Sequence, residues 1–116
     1  MTLLYIAGPY TVGDTARNIK FAAEIAMECW MKGYAVICPH TNTANFEKMS
    51  LLDYDTVMRG CLRMIDGVDA VVLIPGWTKS RGAKVEKKYA LKNKIPVFIW
   101  PDLPLQKQDL PAKRPR

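Results

Sequence analysis

The sequence predicts an α/β fold, a small doubly wound parallel sheet of four to five strands in the order 2-1-3-4 with helices on both faces. Three observations carry this. Short apolar runs recur at residues 3–7, 35–38, 70–74 and 95–100, each of strand length and most of them bounded by glycine or proline. The stretches between them space their apolar residues as helices do. Strand, helix and strand in that order imply right-handed parallel crossovers, and strands buried on both faces read as unbroken apolar runs, as in flavodoxin- or Rossmann-like sheets.

At 116 residues with 49% hydrophobic and 24% charged content, the chain is composed for one compact soluble domain with a real core. We place that domain at residues 1–100 and read residues 101–116, rich in proline and basic residues, as an extended or disordered tail. No run approaches 18 apolar residues, and Met1 leads straight into L-L-Y-I-A without a basic leader or cleavage site, so the expectation is a cytoplasmic protein with no membrane partner. Cys29, Cys38 and Cys61 are widely spaced and odd in number, which points to core thiols rather than a disulfide framework or a zinc site. The formal net charge of +6 is concentrated, with seven cations and one anion between Lys79 and Lys94. A phosphate-bearing small molecule or a solvated helix face accounts for that run as well as a nucleic acid would, and no aromatic platform accompanies it.

The first strand, 3–7, ends at Gly8-Pro9 and leads into a small-residue loop holding Gly13. From Thr15 to Lys32 the positions Ile19, Ala22, Ala23, Ala26, Cys29 and Trp30 keep helical spacing, with Asp14 or Thr15 as cap and Gly33 as stop. The second strand, 35–38, closes at Pro39-His40. Residues 41–52 lack a sustained period and lie beyond its carboxyl end, the place for a mobile lid. Met58, Leu62 and Ile65 mark a helix from about Asp55 that stops at Gly67, and the third strand follows from Asp69 to Ile74. The last strand, 95–100, has Pro96 near its start and is closed by Pro101.

The stretch from Asp69 to Ala90, D-A-V-V-L-I-P-G-W-T-K-S-R-G-A-K-V-E-K-K-Y-A, reads as strand, turn and a helix start near Gly82. In open α/β sheets ligands collect outside the carboxyl ends of the strands, and N–H groups at a helix start favour an anion. On the helix wheel Lys84, Lys87, Lys88 and Lys92 form a basic stripe, whereas Ala83, Val85, Glu86, Tyr89 and Ala90 gather on the other side. A carboxylate on the sheet-facing side costs free energy unless it is paired or used. The alternative is a Glu86 that tilts outward to a lysine. The loop G-P-Y-T-V-G has neither the glycine spacing of a dinucleotide site nor the ending of a P-loop, and a lone histidine without G-x-S-x-G gives no hydrolase triad.

What remains is a constellation: Tyr5 and Gly8 on strand one, Pro39-His40 after strand two, and P-G-W-T-K-S-R-G-A-K-V-E after strand three. Over residues 3–100 it resembles the nucleoside 2-deoxyribosyltransferase superfamily, including its small phage and bacterial members and the 2'-deoxynucleoside 5'-phosphate N-hydrolases. L-Y-I-A-G-P-Y and S-R-G-A-K-V-E are the specific parts. The resemblance implies an N-glycosidase acting on a nucleoside or nucleotide, with no metal or redox cofactor. It also implies a homodimer or higher oligomer in which a neighbour helps to close the site.

By the same resemblance, Glu86 attacks the anomeric carbon to form a glycosyl-enzyme ester, and Tyr5 hydrogen-bonds its carboxylate. A placed carboxylate can stabilise the oxocarbenium-like centre and then trap it, which splits one hard displacement into two easier ones. Gly8, Pro9, Tyr10, His40, Gly76, Trp77, Ser80 and Gly82 are the implied substrate contacts. His40 meets the base or is a plain loop residue, and Trp77 stacks on the base or packs at a dimer interface. Six residues before the glutamate the transferases have an aspartate, while the monophosphate hydrolases have a serine on the 5'-phosphate. This chain has Ser80, which an ordinary N-cap also explains. From Gly82 to Glu86 a helix rises about 6 Å, near the separation of a 5'-phosphorus from the anomeric carbon.

One position departs from the pattern. The family's aspartate eight residues ahead of Asp69 is here Cys61. A neutral thiol is a poor proton donor, so Asp53 or Asp55 enters the pocket as its catalytic substitute, water protonates the leaving base, or the pocket binds a nucleotide without turnover. Asp55 otherwise reads as a helix-start anion.

Overall fold

The computed structural model describes residues 1–44 and 52–106. Four parallel strands, β1 (Leu3–Ala7), β2 (Ala35–Ile37), β3 (Ala70–Leu73) and β4 (Val97–Ile99), form one sheet in the order β2-β1-β3-β4. Among the described residues the helices are α1 (Thr15–Met31), α2 (Pro39–Asn42), α3 (Tyr54–Ile65) and α4 (Arg81–Lys92). The strand order and the α/β class are those the sequence predicts. No described helix is long and apolar enough to cross a membrane.

Alternation along β1 divides the interior in two. Leu4 and Ile6 face α1, where they join Ala22, Ile25, Ala26, Cys29, Val72 and Ile74 in one core. Tyr5 and Ala7 face the opposite side, with Val71 and Leu73, Cys61 and Ile65 of α3, and Ala83 and Ala90 of α4. Each fully buried large aliphatic side chain contributes about 1.5–3 kcal/mol. The central strands β1 and β3 are therefore apolar on both faces, which is why they read as unbroken runs.

Local chemistry sets the ends of α1. The Asp14 side chain accepts from the Arg17 N–H at 3.1 Å, and Gly33 takes a φ of 91° just past the helix. Trp30, expected on the buried stripe, is 52% exposed, and Ile25 takes that place instead. The reason is geometric. Ile25 falls within the arc of Ala22, Ala26 and Cys29, whereas Trp30 lies about 90° from its centre.

Residues 39–42 form one helical turn with Pro39 at its start, so His40 stands on a turn of helix rather than in an open loop. Residues 45–51, the middle of the expected lid, lie outside the described residues. The first six residues of the tail run without helix or strand. Leu103 packs against the α1-side core, the Tyr34 hydroxyl donates to the Pro104 carbonyl, and Gln106 Nε2 donates to the Lys32 carbonyl at 3.1 Å. Residues 107–116 lie outside the described residues.

The carboxyl ends of β1 and β3 come close enough to exclude a side chain at Gly8. A Cβ there would stand 2.3 Å from Ile74 Cγ1, and Ile74 is itself pinned by its N–H donating to the Ala7 carbonyl at 2.9 Å. Gly8→Ala should therefore lower stability by about 1–3 kcal/mol through overpacking. Gly60→Ala, inside α3 with no atom within 4 Å of the new Cβ, should instead raise it by about 0.5–1 kcal/mol. Urea unfolding of the two variants checks both signs.

Candidate functional site

The centre of the site is a buried pair. Glu86 lies on the inward face of α4 between Ala83 and Ala90, 7% exposed, and the fully buried Tyr5 donates its hydroxyl to Glu86 Oε2. Tyr5 reaches it because strand parity turns its ring to the α4 side, and two alanines let the helix approach the sheet. Burial pushes the Glu86 carboxyl up to about 7, against the downward pull of the Tyr5 bond. Burial first, and then the Glu86 charge, drive the Tyr5 hydroxyl far above its ordinary range, so it remains a donor. Cys61 of α3 lies beside that hydroxyl, and burial raises its thiol too.

Glu86 forms part of the wall of a cavity of about 470 Å³ at the carboxyl ends of the strands, a volume that suits a small ligand. Gly8, Tyr10, Val12 and His40 line one side, Leu52 to Tyr54, Val57, Met58 and Cys61 another, and Lys79 to Ala83 a third. Two backbone carbonyls after β1 tie the sides together. The Ser80 hydroxyl donates to the Gly8 carbonyl at 3.5 Å, and His40 Nε2 lies 2.9 Å from the Pro9 carbonyl. Ser80 also caps α4, its oxygen accepting from the Ala83 N–H at 3.1 Å. The Arg81 guanidinium stacks over the Tyr54 ring at 5.7 Å. Among the described residues no group of three or more histidines, cysteines and carboxylates is placed to hold a metal ion.

A family model described as "Domain of unknown function (DUF4406)" matches residues 2–99. The chain belongs to that family. Among curated proteins none matches the sequence. Two solved structures share the fold of this DUF4406 chain. A 2-desoxiribosyltransferase from Leishmania mexicana is 17% identical with a TM-score of 0.62, over 85% of this chain and 63% of that one. A 2-deoxyribosyltransferase from the psychrotolerant bacterium Bacillus psychrosaccharolyticus is 16% identical with a TM-score of 0.61, over 84% and 71%. The DUF4406 chain thus shares the fold of these two 2-deoxyribosyltransferases, and it spans less than two thirds of the first enzyme's length.

Of the residues singled out in the DUF4406 sequence, Tyr5, Gly8, Tyr10, His40, Ser80, Gly82 and Glu86 come together here, and Pro9 takes part through its carbonyl. Asp55, Gly76 and Trp77 do not line the cavity. α3 starts at Tyr54 with Asp53 as its cap, so Asp53 meets the cavity while Asp55 faces solvent. Gly76, at a φ of 91°, turns the chain into a short 3-10 segment, Trp77–Lys79, and sends the Trp77 ring to the lysine face, 4.8 Å from Lys87 Nζ. Val85, placed with the inward group by the wheel, is 37% exposed because it lies about 130° from the centre of the Ala83–Glu86–Ala90 arc. Tyr54 and Met58 were not anticipated at the site. A D-x-x-T cap at Asp53 would have moved the start of α3 back to Tyr54 and turned both toward Gly82.

The raised carboxyl fixes a pH dependence. With a folded value of about 7 and an unfolded value of 4.5, the folded chain binds more protons between those limits, so Glu86 costs stability as pH rises through that window. The cost levels off above pH 7 at about 3 kcal/mol. Glu86→Gln keeps the Tyr5 bond without the ionisation. The variant should gain on the unmodified chain from pH 4.5 to 7 and hold a constant margin above it, as urea unfolding at a series of pH values will show.

Proposed function

We propose that this chain is an N-glycosidase that cleaves or exchanges the base of a 2'-deoxynucleoside 5'-monophosphate, or of the nucleoside, through a glycosyl ester on Glu86. The observation that carries the reading is the buried Glu86 carboxyl held by the Tyr5 hydroxyl at the wall of a cavity of nucleotide size. The fold shared with two 2-deoxyribosyltransferases supports it. An oxygen of ionised Glu86 attacks C1', the C1'–N bond breaks, and its electron pair leaves with the base. The base takes its proton from water, which leaves hydroxide, while the buried Cys61 thiol keeps its own proton. Water then attacks C1' and gives its proton to that hydroxide, the ester C1'–O bond breaks, and the deoxyribose product leaves with Glu86 restored. In exchange, a second base takes the place of water.

Tyr5 occupies one carboxylate oxygen and leaves the other for C1'. Lys79, Arg81, the first N–H groups of α4 and the Ser80 hydroxyl serve the 5'-phosphate, each charge-assisted bond contributing about 1.5–3 kcal/mol. The same reading makes the enzyme cytoplasmic and a homodimer or higher oligomer, with Leu52 and Tyr54, 45% and 52% exposed at the cavity rim, as the surface a second copy covers. A second reading, nucleotide binding without turnover, draws its support from Cys61, which stands where the resembled deoxyribosyltransferase superfamily has an aspartate.

Incubation with 2'-deoxynucleosides and their 5'-monophosphates, followed for free base, separates the two. Release should rise with pH through about 7 as Glu86 ionises, vanish in Glu86→Gln and fall in Tyr5→Phe. Tight binding with no release would establish the binding module instead. The monophosphate should bind about tenfold or more tightly than its nucleoside, and Ser80→Ala should erase part of that preference. Equal affinities by calorimetry would remove the phosphate assignment.

A further inference from the structure

The chain's single histidine sits in the cavity wall with an unused acceptor. Its Nε2 lies 2.9 Å from the Pro9 carbonyl, which can only accept, so Nε2 carries the hydrogen and Nδ1 of the neutral ring carries a lone pair. Burial keeps the ring's pKa below its ordinary value, against the pull of the Pro9 and Gly8 carbonyls, so the ring is neutral at pH 7. His40 is 4% exposed, and its Nδ1 is shut off from solvent without a hydrogen-bond partner. A buried acceptor left without a donor costs free energy that a ligand's N–H would recover. Rotation of the ring is no remedy, since it would give up Pro9. The turn beneath it is fixed as well, with Thr41 and Thr43 hydroxyls donating to the Cys38 and Pro39 carbonyls, each at 3.0 Å.

We infer that His40 Nδ1 reads the base, selecting one that presents an exocyclic amino group over one that presents a carbonyl at the same position. This rests on the nucleotide site proposed above. Because β1 lies between β2 and β3, Ser80 after β3 and His40 after β2 flank Gly8-Pro9 from two sides. A ligand with its phosphate at the start of α4 extends its base toward β2. An amino hydrogen completes Nδ1, whereas a carbonyl sets lone pair against lone pair, so discrimination comes from repulsion as well as from a lost bond. Tyr10 packs edge-on to the ring, 5.9 Å between centroids. It stands on the loop after β1, beside the ring that a base would meet.

The test uses two matched pairs, 2'-deoxycytidine against 2'-deoxyuridine 5'-monophosphate and 2'-deoxyadenosine against 2'-deoxyinosine 5'-monophosphate. Each is titrated calorimetrically into the full chain carrying Glu86→Gln, so that no ligand is consumed, and 15N spectra of the one histidine are recorded alongside. In the pair whose ring size fits, the amino member should bind about tenfold or more tightly. The free chain should show an unprotonated Nδ1 whose resonance moves with the amino member. His40→Asn, which offers donor and acceptor alike, should shrink the preference to about threefold or less. Equal affinities within both pairs, a tighter carbonyl member, or a preference that survives His40→Asn would overturn the inference and leave the nucleotide site standing. The same Nδ1 shift with both members would assign the donor to a sugar hydroxyl and overturn it as well. Failure of all four to bind would overturn the nucleotide reading and this inference with it.

Discussion

The hydrogen bond from Tyr5 to Glu86 is the constraint around which this small fold is arranged. A carboxylate on the sheet-facing side of a helix is tolerated only with a partner, and the partner has to come from the strand below it. That requirement fixes the parity of β1, because Tyr5 must share a face with Ala7 while Leu4 and Ile6 serve the α1 core. It also fixes the size of the neighbours. Ala83 and Ala90 bring α4 close, and Cys61 is small enough to sit beside the hydroxyl. The outcome is a carboxyl held near neutrality by burial rather than by a neighbouring charge.

The second constraint is the Gly8-Pro9 turn. Lacking a side chain, Gly8 lets the ends of β1 and β3 close together, and its carbonyl and that of Pro9 then reach Ser80 and His40. Two residues of one loop thus position groups that come from opposite neighbours of β1. The pocket consequently owes its shape to main-chain acceptors, which leaves the side chains around it open to variation in chemistry.

Much of this was legible in the residues. The unbroken runs of β1 and β3 and the Gly33 stop follow from periodicity and capping, which leave the cap of α1 open between Asp14 and Thr15 and Glu86 open between an inward place and a tilt to a lysine; the resemblance supplied the pairing with Tyr5. Other features depend on angles. Trp30 and Val85 lie about 90° and 130° from the centres of their buried arcs, so grouping either with the core is looser than helical geometry allows. The aim of Trp77 is set by the left-handed Gly76 and a 3-10 turn, and the exchange of Asp55 for Asp53 by a helix that begins one residue earlier than its apolar stripe suggests. The orphaned Nδ1 of His40 is a fact of three dimensions, since nothing in P-H-T-N tells which carbonyl lies opposite the ring.

Ser80 shows how one hydroxyl can hold a helix and still be available to a ligand. Its oxygen serves the helix, accepting from the Ala83 N–H, while its hydrogen rests on the Gly8 carbonyl at 3.5 Å, the limit of a useful bond. These are separate faculties of the same atom group. An anion arriving at the start of α4 can draw the hydrogen to itself without disturbing the lone pair that secures the first turn. A ligand taking that hydrogen would leave the start of α4 intact, because the bond that holds the first turn uses the oxygen's lone pair instead.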